Sequence, residues 1–201
     1  MDILYIENKV KDWHRGESSG HDFSHIERVR NNARKIALHY PHADVNVVIC
    51  AALLHDVADH KLIDINSRDS VYEMIEKWIK EAGGDAITTQ HIIHICQNIS
   101  YSTRDKNKSL SIEGQIVQDA DRLDAIGAIG IARTFAYGGA KSRPMYGEED
   151  GNDTISHFYE KLLNIKEMMN TPIAHQMAEE RHLFMEEFLS RFYDECGIKK
   201  D

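Results

Sequence analysis

Two adjacent residues, His55 and Asp56, carry the strongest chemical signal in the sequence, because they follow directly on an apolar run at 47–54. A run of this kind is typical of a buried helix. An ionisable group that is buried without a partner is strongly destabilising. A metal ion binds a neutral imidazole and a carboxylate together, and this coordination offsets their desolvation. The pair therefore predicts a metal site at the end of the helix.

Further ligands for the same ion must come from other elements, and two residues have suitable chemistry. His25 lies in the segment HDFSHIERV, and Asp121 lies in the segment QDADRLD. Adjacent residues of a helix point about 100° apart, so His55 and Asp56 must reach one ion from both sides of a helix edge. Two imidazoles and two carboxylates leave room for water in an octahedral shell. This ligand set suits manganese, iron, magnesium or zinc without selecting sharply among them.

The elements that must position these residues are predicted to be helices, since strand-like alternation is nowhere longer than the helical patterns around it. Helices are predicted over 2–14, from Asp22, from Asp44, over 71–82, from Asp85, from Ser111 through Ile129, from Asp153 or Thr154, and from Thr171. A long polar loop is predicted over 138–153, and loops of that length are usually functional or disordered. No repeat or linker divides the sequence, so we expect one all-α domain over residues 1–201.

Composition limits the function classes. The formal net charge of −9 argues against binding to duplex nucleic acid, which requires a basic surface. No run approaches the ~20 apolar residues of a membrane span, and the first residues do not form a secretory signal. Three cysteines without CxxC spacing indicate reduced thiols and a cytoplasmic protein. Nothing in the sequence decides between a monomer and a homodimer.

The order His25, then His55-Asp56, then Asp121 resembles the HD-domain superfamily of metal-dependent phosphohydrolases. The strings HDFSHIERV, ALLHDVADHK and QDADRLDAIGAIGIARTF are similar to the HDxxDxK-type, stand-alone bacterial members. The resemblance implies an all-α bundle with one divalent ion per chain held between helices. Manganese or magnesium is favoured, with iron, nickel and zinc as alternatives. It also implies hydrolysis of phosphate esters or anhydrides of a small nucleotide, most plausibly a nucleoside triphosphate cut to monophosphate and pyrophosphate.

The residues around the ligands receive roles on this interpretation. Asp59, which follows the ligand pair, is expected to orient or deprotonate the attacking water, and Lys61 to bind phosphate beside it. The alternative for these two is a surface ion pair. Arg122, Lys141 and Arg143 are candidate phosphate contacts, the last two within the predicted 138–153 loop. The alternative for Arg122 is a structural ion pair. The alternative for Lys141 and Arg143 is a solvated loop without a ligand.

Other functions stay open on the sequence alone. A nucleotide phosphomonoesterase or phosphodiesterase would use the same ligands. A di-iron oxygenase would need more ligands, and His91 and His94, which share one helix face, are the obvious extra ones. A catalytically silent nucleotide-sensing module would keep the fold without turnover.

Overall fold

Helices form all the regular structure in the part of the chain that the computed structural model describes, which is residues 1–16, 22–59, 67–99, 109–147 and 151–198. The predicted all-α fold is thereby confirmed. The helices are α1 (Ile3–Trp13), α2 (Phe23–Ala37), α3 (Val45–Leu54), α4 (Arg68–Glu81), α5 (Ala86–Asn98), α6 (Ile112–Asp124), α7 (Gly127–Ala140), α8 (Ser156–Glu160) and α9 (Pro172–Glu195). Two short 3-10 turns, Leu162–Asn164 and Lys166–Met168, lie between α8 and α9. Among the described helices, none is long and apolar enough to cross a membrane.

The chain divides into two compact units, Met1–Asp121 and Arg122–Asp201, with the boundary inside α6. In the first unit α3 packs against α1, α2 and α5, and α4 packs against α5. Every residue of α3 except Asn46 is apolar, and most of its side chains are buried, as expected of a helix surrounded on all sides. The C-terminal end of α3, which His55 and Asp56 follow directly, therefore lies within the packed first unit. A single domain over 1–201 stays a prediction.

Local sequence sets the helix starts that position the site. The side chains of four residues predicted to begin helices accept hydrogen bonds from backbone N–H groups of the first turn: Asp22, Asp44, Asp85 and Thr171. Replacing such a cap by alanine typically costs about 1 kcal/mol. The starts of α2 and α3, which supply three of the predicted ligands, are thus fixed by side chains next to them in sequence.

The single helix predicted from Ser111 through Ile129 is wrong, because the chain breaks between α6 and α7. Gly127 has a φ of +75°, which disfavours any other residue there. A Cβ added at Gly130 would lie 2.3 Å from the carbonyl oxygen of Ala125, so the backbone of the break closely contacts the new helix. The glycines of this stretch therefore permit the break itself.

The predicted 138–153 loop is shorter than expected, because α7 continues to Ala140. Its two ends are joined by backbone hydrogen bonds from Thr154 N to Pro144 O (2.9 Å) and from Ile155 N to Met145 O (3.1 Å). Between them, Tyr146 packs edge-on against the ring of Tyr193 in α9. The described part of the loop is thus tied to the second unit at several points.

Candidate metal centre

The chain tightens where α3 ends, and this brings the side chains of His55 and Asp56 together. Backbone hydrogen bonds from Val57 N to Leu54 O and from Asp59 N to Asp56 O, both 3.1 Å, span three residues as in a 3-10 turn. His55 Nε2 lies 3.4 Å from Asp56 Oδ1. Adjacent side chains can thus face one point, as the metal-site hypothesis requires.

The imidazole of His55 is prepared to accept a cation. Its Nδ1 lies 2.8 Å from the carbonyl oxygen of Ala52, which can only accept, so Nδ1 carries the proton. Nε2 then holds a lone pair, and it is buried without a hydrogen-bond partner. A buried polar atom left unpaired costs about 1–3 kcal/mol. A metal ion at Nε2 would remove that penalty, and the hydrogen bond at the other nitrogen is the usual support of a metal-binding histidine.

The four predicted ligands come together in space. His25 Nε2 lies 3.3 Å from Asp56 Oδ2 and 3.5 Å from Asp121 Oδ1, and His55 Nε2 lies 3.8 Å from the same Asp121 oxygen. Two atoms that bind one ion at the usual zinc–nitrogen or zinc–oxygen lengths lie about 3.0–3.6 Å apart in octahedral or tetrahedral geometry. Within the described chain, His25, His55 and Asp56 form a group with donor atoms within 4.8 Å of one another. The spacing of these three residues fits one shared ion, and Asp121 Oδ1 lies beside the two imidazoles at the distances given above.

His25 is held in place by the first turn of α2. Its backbone N–H donates to Asp22 Oδ1 at 3.0 Å, so the cap of the helix also fixes the ligand. The imidazole rings of His25 and His55 meet edge to face, with centroids 5.3 Å apart. The backbone of His25 is thus anchored by the helix cap, and the ring of His55 by the Ala52 carbonyl oxygen.

The centre is closed on one side and open on the other. The side chains of His25 and His55 are each 3% exposed and that of Asp56 is 10% exposed, but that of Asp121 is 43% exposed. Catalytic metal sites keep a coordination position open to water or substrate. The Asp121 side of the cluster is therefore the side that is accessible to solvent.

Sequence reasoning missed Asn32, which supports the position of Asp121. Asn32 is buried in α2, and its Nδ2 donates to the carbonyl oxygen of Ala120 at 3.4 Å. The signal was present, because Asn32 interrupts an apolar stripe that includes Val29 and Ile36. A buried amide on such a stripe needs partners, and here one of them lies next to a predicted ligand.

The predicted catalytic pair is described only in part. Asp59 is half-buried and is tied to Asp56 by the backbone hydrogen bond given above. It lies beyond the end of α3, in the tight turn that follows the helix. Lys61 lies outside the described residues. The roles of both residues stay predictions.

The three other predicted phosphate contacts belong to the second unit. Arg122 Nη1 donates to the carbonyl oxygen of Met168, which gives its guanidinium a structural partner. Lys141 and Arg143 are exposed, and each places its charge 5.8 Å from the centre of the Tyr137 ring. Phosphate binding by these residues remains a prediction.

The two histidines considered as extra ligands have other partners. His91 Nε2 lies 2.8 Å from Ser111 Oγ and 3.7 Å from Glu113 Oε2. His94 Nδ1 lies 3.4 Å from Asn98 Nδ2. One ring nitrogen of each histidine thus has a partner on α5 or near the start of α6.

Comparison with known proteins places this geometry in a wider group. The family model described as HD domain matches residues 22–126, which include all four predicted ligands. YpgQ of Bacillus subtilis is 46% identical over 175 residues, covering 86% of this chain and 83% of that protein. The crystal structure of an HD-superfamily hydrolase from Bacillus thuringiensis is 40% identical, with a TM-score of 0.82, and covers 98% of this chain and 97% of that chain. The crystal structure of B. subtilis YpgQ in complex with ADP is 38% identical, with a TM-score of 0.78, and covers 94% of this chain and 97% of that chain.

Proposed function

The chain belongs to the HD-domain family, and on that premise we propose that it is a metal-dependent phosphohydrolase acting on nucleotides. In this proposal His25, His55, Asp56 and Asp121 hold one divalent ion, with manganese or magnesium favoured. The observation that carries it is the buried, partnerless Nε2 of His55, which faces two carboxylates and a second imidazole. A structural polar cluster would be expected to pair that nitrogen.

The favoured substrate is a nucleoside triphosphate, which would be cut to monophosphate and pyrophosphate. The ADP bound to the related YpgQ supports a nucleotide as ligand. In the proposed reaction, the oxygen of a water molecule forms a bond to the α-phosphorus. The bond from that phosphorus to the bridging oxygen breaks, pyrophosphate leaves, and the water proton passes to a base on the protein.

The chain's own residues would divide the remaining work. A divalent ion at the four ligands would acidify water and polarise a phosphoryl oxygen. Asp59, close to the ligand Asp56 along the chain and half-exposed, accepts the proton in this proposal. The buried histidines exclude bulk water from one side, and the open Asp121 side admits the phosphates. Lys61 would add a positive charge for the leaving group.

The first test measures hydrolysis of a panel of nucleotides with manganese or magnesium, with the phosphate products resolved by chromatography. Nucleoside monophosphate and pyrophosphate in equal amounts are expected. Orthophosphate as the only phosphate product of triphosphates would reject the pyrophosphate branch, and orthophosphate from nucleoside monophosphates would favour a phosphomonoesterase. Tight nucleotide binding without turnover would favour a sensing module. Absence of both from folded, metal-loaded protein would refute the proposal.

The role of Asp59 has its own variant. Asp59→Asn should lower kcat by about 10²–10⁴-fold, the usual contribution of a general base, with little change in metal content. Asp12→Asn is the matched control, because Asp12 forms an exposed ion pair with Arg15 and should leave kcat unchanged. Equal activities of the two variants would remove Asp59 from the mechanism.

A further inference from the structure

The end of α6 is the part of the predicted metal centre that needs most support from outside its own helix. Asp121 is the most exposed of the four ligands, with a side chain that is 43% exposed. It lies three residues before α6 ends at Asp124, and the last carbonyl groups of a helix have no partner within the helix. Helix ends are also the parts that open most readily. Asn32 supports the residue before Asp121, so the residues after Asp121 need support of their own.

Arg181 in α9 supplies part of that support. Its Nη1 donates to the carbonyl oxygen of Leu123, which otherwise accepts a long hydrogen bond, 3.4 Å, from Ile126 N. A positively charged donor is favoured at the last carbonyls of a helix, where the helix dipole is negative. A Cβ added at Gly127 would lie 3.0 Å from Arg181 Cγ, so the aliphatic part of Arg181 lies against the backbone of the break. Arg181 thus caps α6 and fills the corner that follows it.

The final residue of α6 is held from α7. Asp124 Oδ2 accepts a hydrogen bond from Arg133 Nη1 at 2.7 Å, and the side chain of Asp124 is only 2% exposed. Loss of one partner would leave a buried charge uncompensated, so this pair strongly favours the geometry that keeps it intact. Arg122 adds a third contact, to the carbonyl oxygen of Met168. Residues 122–124 are therefore held by three separate elements of the second unit.

We propose that Arg181 and Arg133 are positioning residues for the predicted ligand Asp121, because they keep the last turn of α6 helical. The inference rests on the proposed function, since Asp121 is a metal ligand only within that proposal. Neither arginine touches the metal or the substrate in this scheme. If residues 122–124 lost their helical form, the backbone of Asp121 would no longer be fixed. Its carboxylate would then have to be ordered each time an ion binds, which lowers the affinity.

The test compares Arg181→Met, Arg181→Lys and Arg133→Met with a control in α9, Arg191→Met. Arg191 forms an exposed ion pair with Glu187, so its replacement should leave metal binding unchanged. The Kd of manganese is measured by calorimetry, and the free energy of unfolding is measured in the presence of a chelator. Arg181→Met and Arg133→Met should each raise the Kd by about 10-fold, as is typical when a group that supports a ligand is lost. Arg181→Lys, which keeps a charged donor, should recover part of the loss.

A double-mutant cycle shows whether Arg181 acts through Asp121. Asp121→Asn keeps an oxygen ligand but removes the charge. If Arg181 positions this ligand, Arg181→Met should raise the manganese Kd less in the Asp121→Asn protein than in the wild type. Equal rises in the two backgrounds would overturn the inference. At saturating manganese the KM for the nucleotide should stay near that of the wild type, since neither arginine contacts the substrate.

The outcomes separate this inference from the proposed function. Manganese binding that depends on both arginines, without turnover of any nucleotide, would refute the phosphohydrolase and support the positioning role. Turnover with an unchanged Kd in both methionine variants would refute the positioning role and leave the phosphohydrolase standing, and a lower free energy of unfolding with that unchanged Kd would show purely structural arginines. If Arg181→Met does not fold, Arg181→Lys and Arg133→Met allow the same comparison. Absence of manganese binding by the folded wild type would overturn both.

Discussion

Replacing Glu113 should destabilise the first unit at neutral pH and do so less in acid. Glu113, at the start of α6, is only 8% exposed, and its Oε1 accepts a hydrogen bond from Asp44 N at 3.1 Å. Asp44 caps α3, which is followed by the predicted ligand His55. The carboxylate therefore connects the starts of α3 and α6, whose C-terminal ends lie at or near predicted metal ligands.

The magnitude follows from the chemistry of that contact. A hydrogen bond to a charged group contributes about 1.5–3 kcal/mol, and one between neutral groups about 0.5–1.5 kcal/mol. Glu113→Ala, which removes the acceptor, should therefore cost about 2 kcal/mol at pH 7. Glu113→Gln, which keeps a neutral oxygen, should cost about 1 kcal/mol. For a chain of this size, 1 kcal/mol corresponds to a change of about 2–4 °C in Tm.

The pH dependence has a definite sign. Burial acts to raise the pKa of Glu113, but hydrogen bonds from Asp44 N–H and Ser111 and the charge of His91 outweigh it, so the pKa lies below its ordinary value. A carboxylate with a lowered pKa in the folded state stabilises the fold above the unfolded pKa, near 4.3. That contribution is lost as the pH falls through the pKa that Glu113 has in the folded state. The difference between wild type and Glu113→Gln should thus shrink below about pH 4.

The assay is urea unfolding at pH 7 and at pH 3, in the presence of a chelator so that bound metal does not add to the stability. Glu76→Gln is the control, because Glu76 forms a solvent-accessible ion pair with Lys80 and should cost at most about 0.5 kcal/mol. If Glu113→Gln and Glu76→Gln are equally stable at pH 7, or if the Glu113 effect persists unchanged at pH 3, the reasoning is wrong.

Two further expectations concern buried groups. Asn32→Ala should weaken manganese binding by about 10-fold, as measured by calorimetry, because it removes the hydrogen bond to the carbonyl oxygen of Ala120, which precedes the predicted ligand Asp121. Asn31→Ala, at an exposed neighbouring residue, should leave the affinity unchanged. Equal affinities would show that Asn32 has no influence on the centre. In native protein at pH 8, a thiol reagent should label the exposed Cys196 and leave Cys50 and Cys96 unmodified until denaturant is added. Burial raises the pKa of Cys50 to about 12, so little of its thiol is in the reactive thiolate form. Rapid labelling of all three thiols in the native protein would contradict the burial of Cys50 and Cys96.

The fold was predictable where the determining contacts are local. The caps Asp22, Asp44 and Asp85 each bond to a backbone group within three residues, so sequence alone marks those helix starts. The break after α6 was not predictable in this way. It is supported by Arg181 in α9, which donates to the carbonyl oxygen of Leu123, and periodicity near the break contains no information about that partner.

The same distinction applies to the site. The ligand pair at the end of α3 stands out because its residue types conflict with the apolar run before it. Asn32 and Glu113 were missed because their partners are 88 and 69 residues away in sequence. Residue type thus indicated the predicted ligands, whereas the groups beside them became apparent only in the structure.

The apolar character of α3 and the chemistry at its end are parts of one physical arrangement. The carbonyl groups at a helix C-terminus carry partial negative charge, which favours a cation there. One of them, that of Ala52, also holds the His55 proton on Nδ1 and so presents a bare Nε2. Two carboxylates close by add further negative potential at that nitrogen. The folded first unit therefore carries an electrostatic cost that a divalent ion would relieve, so metal binding should stabilise the fold as well as supply the chemistry.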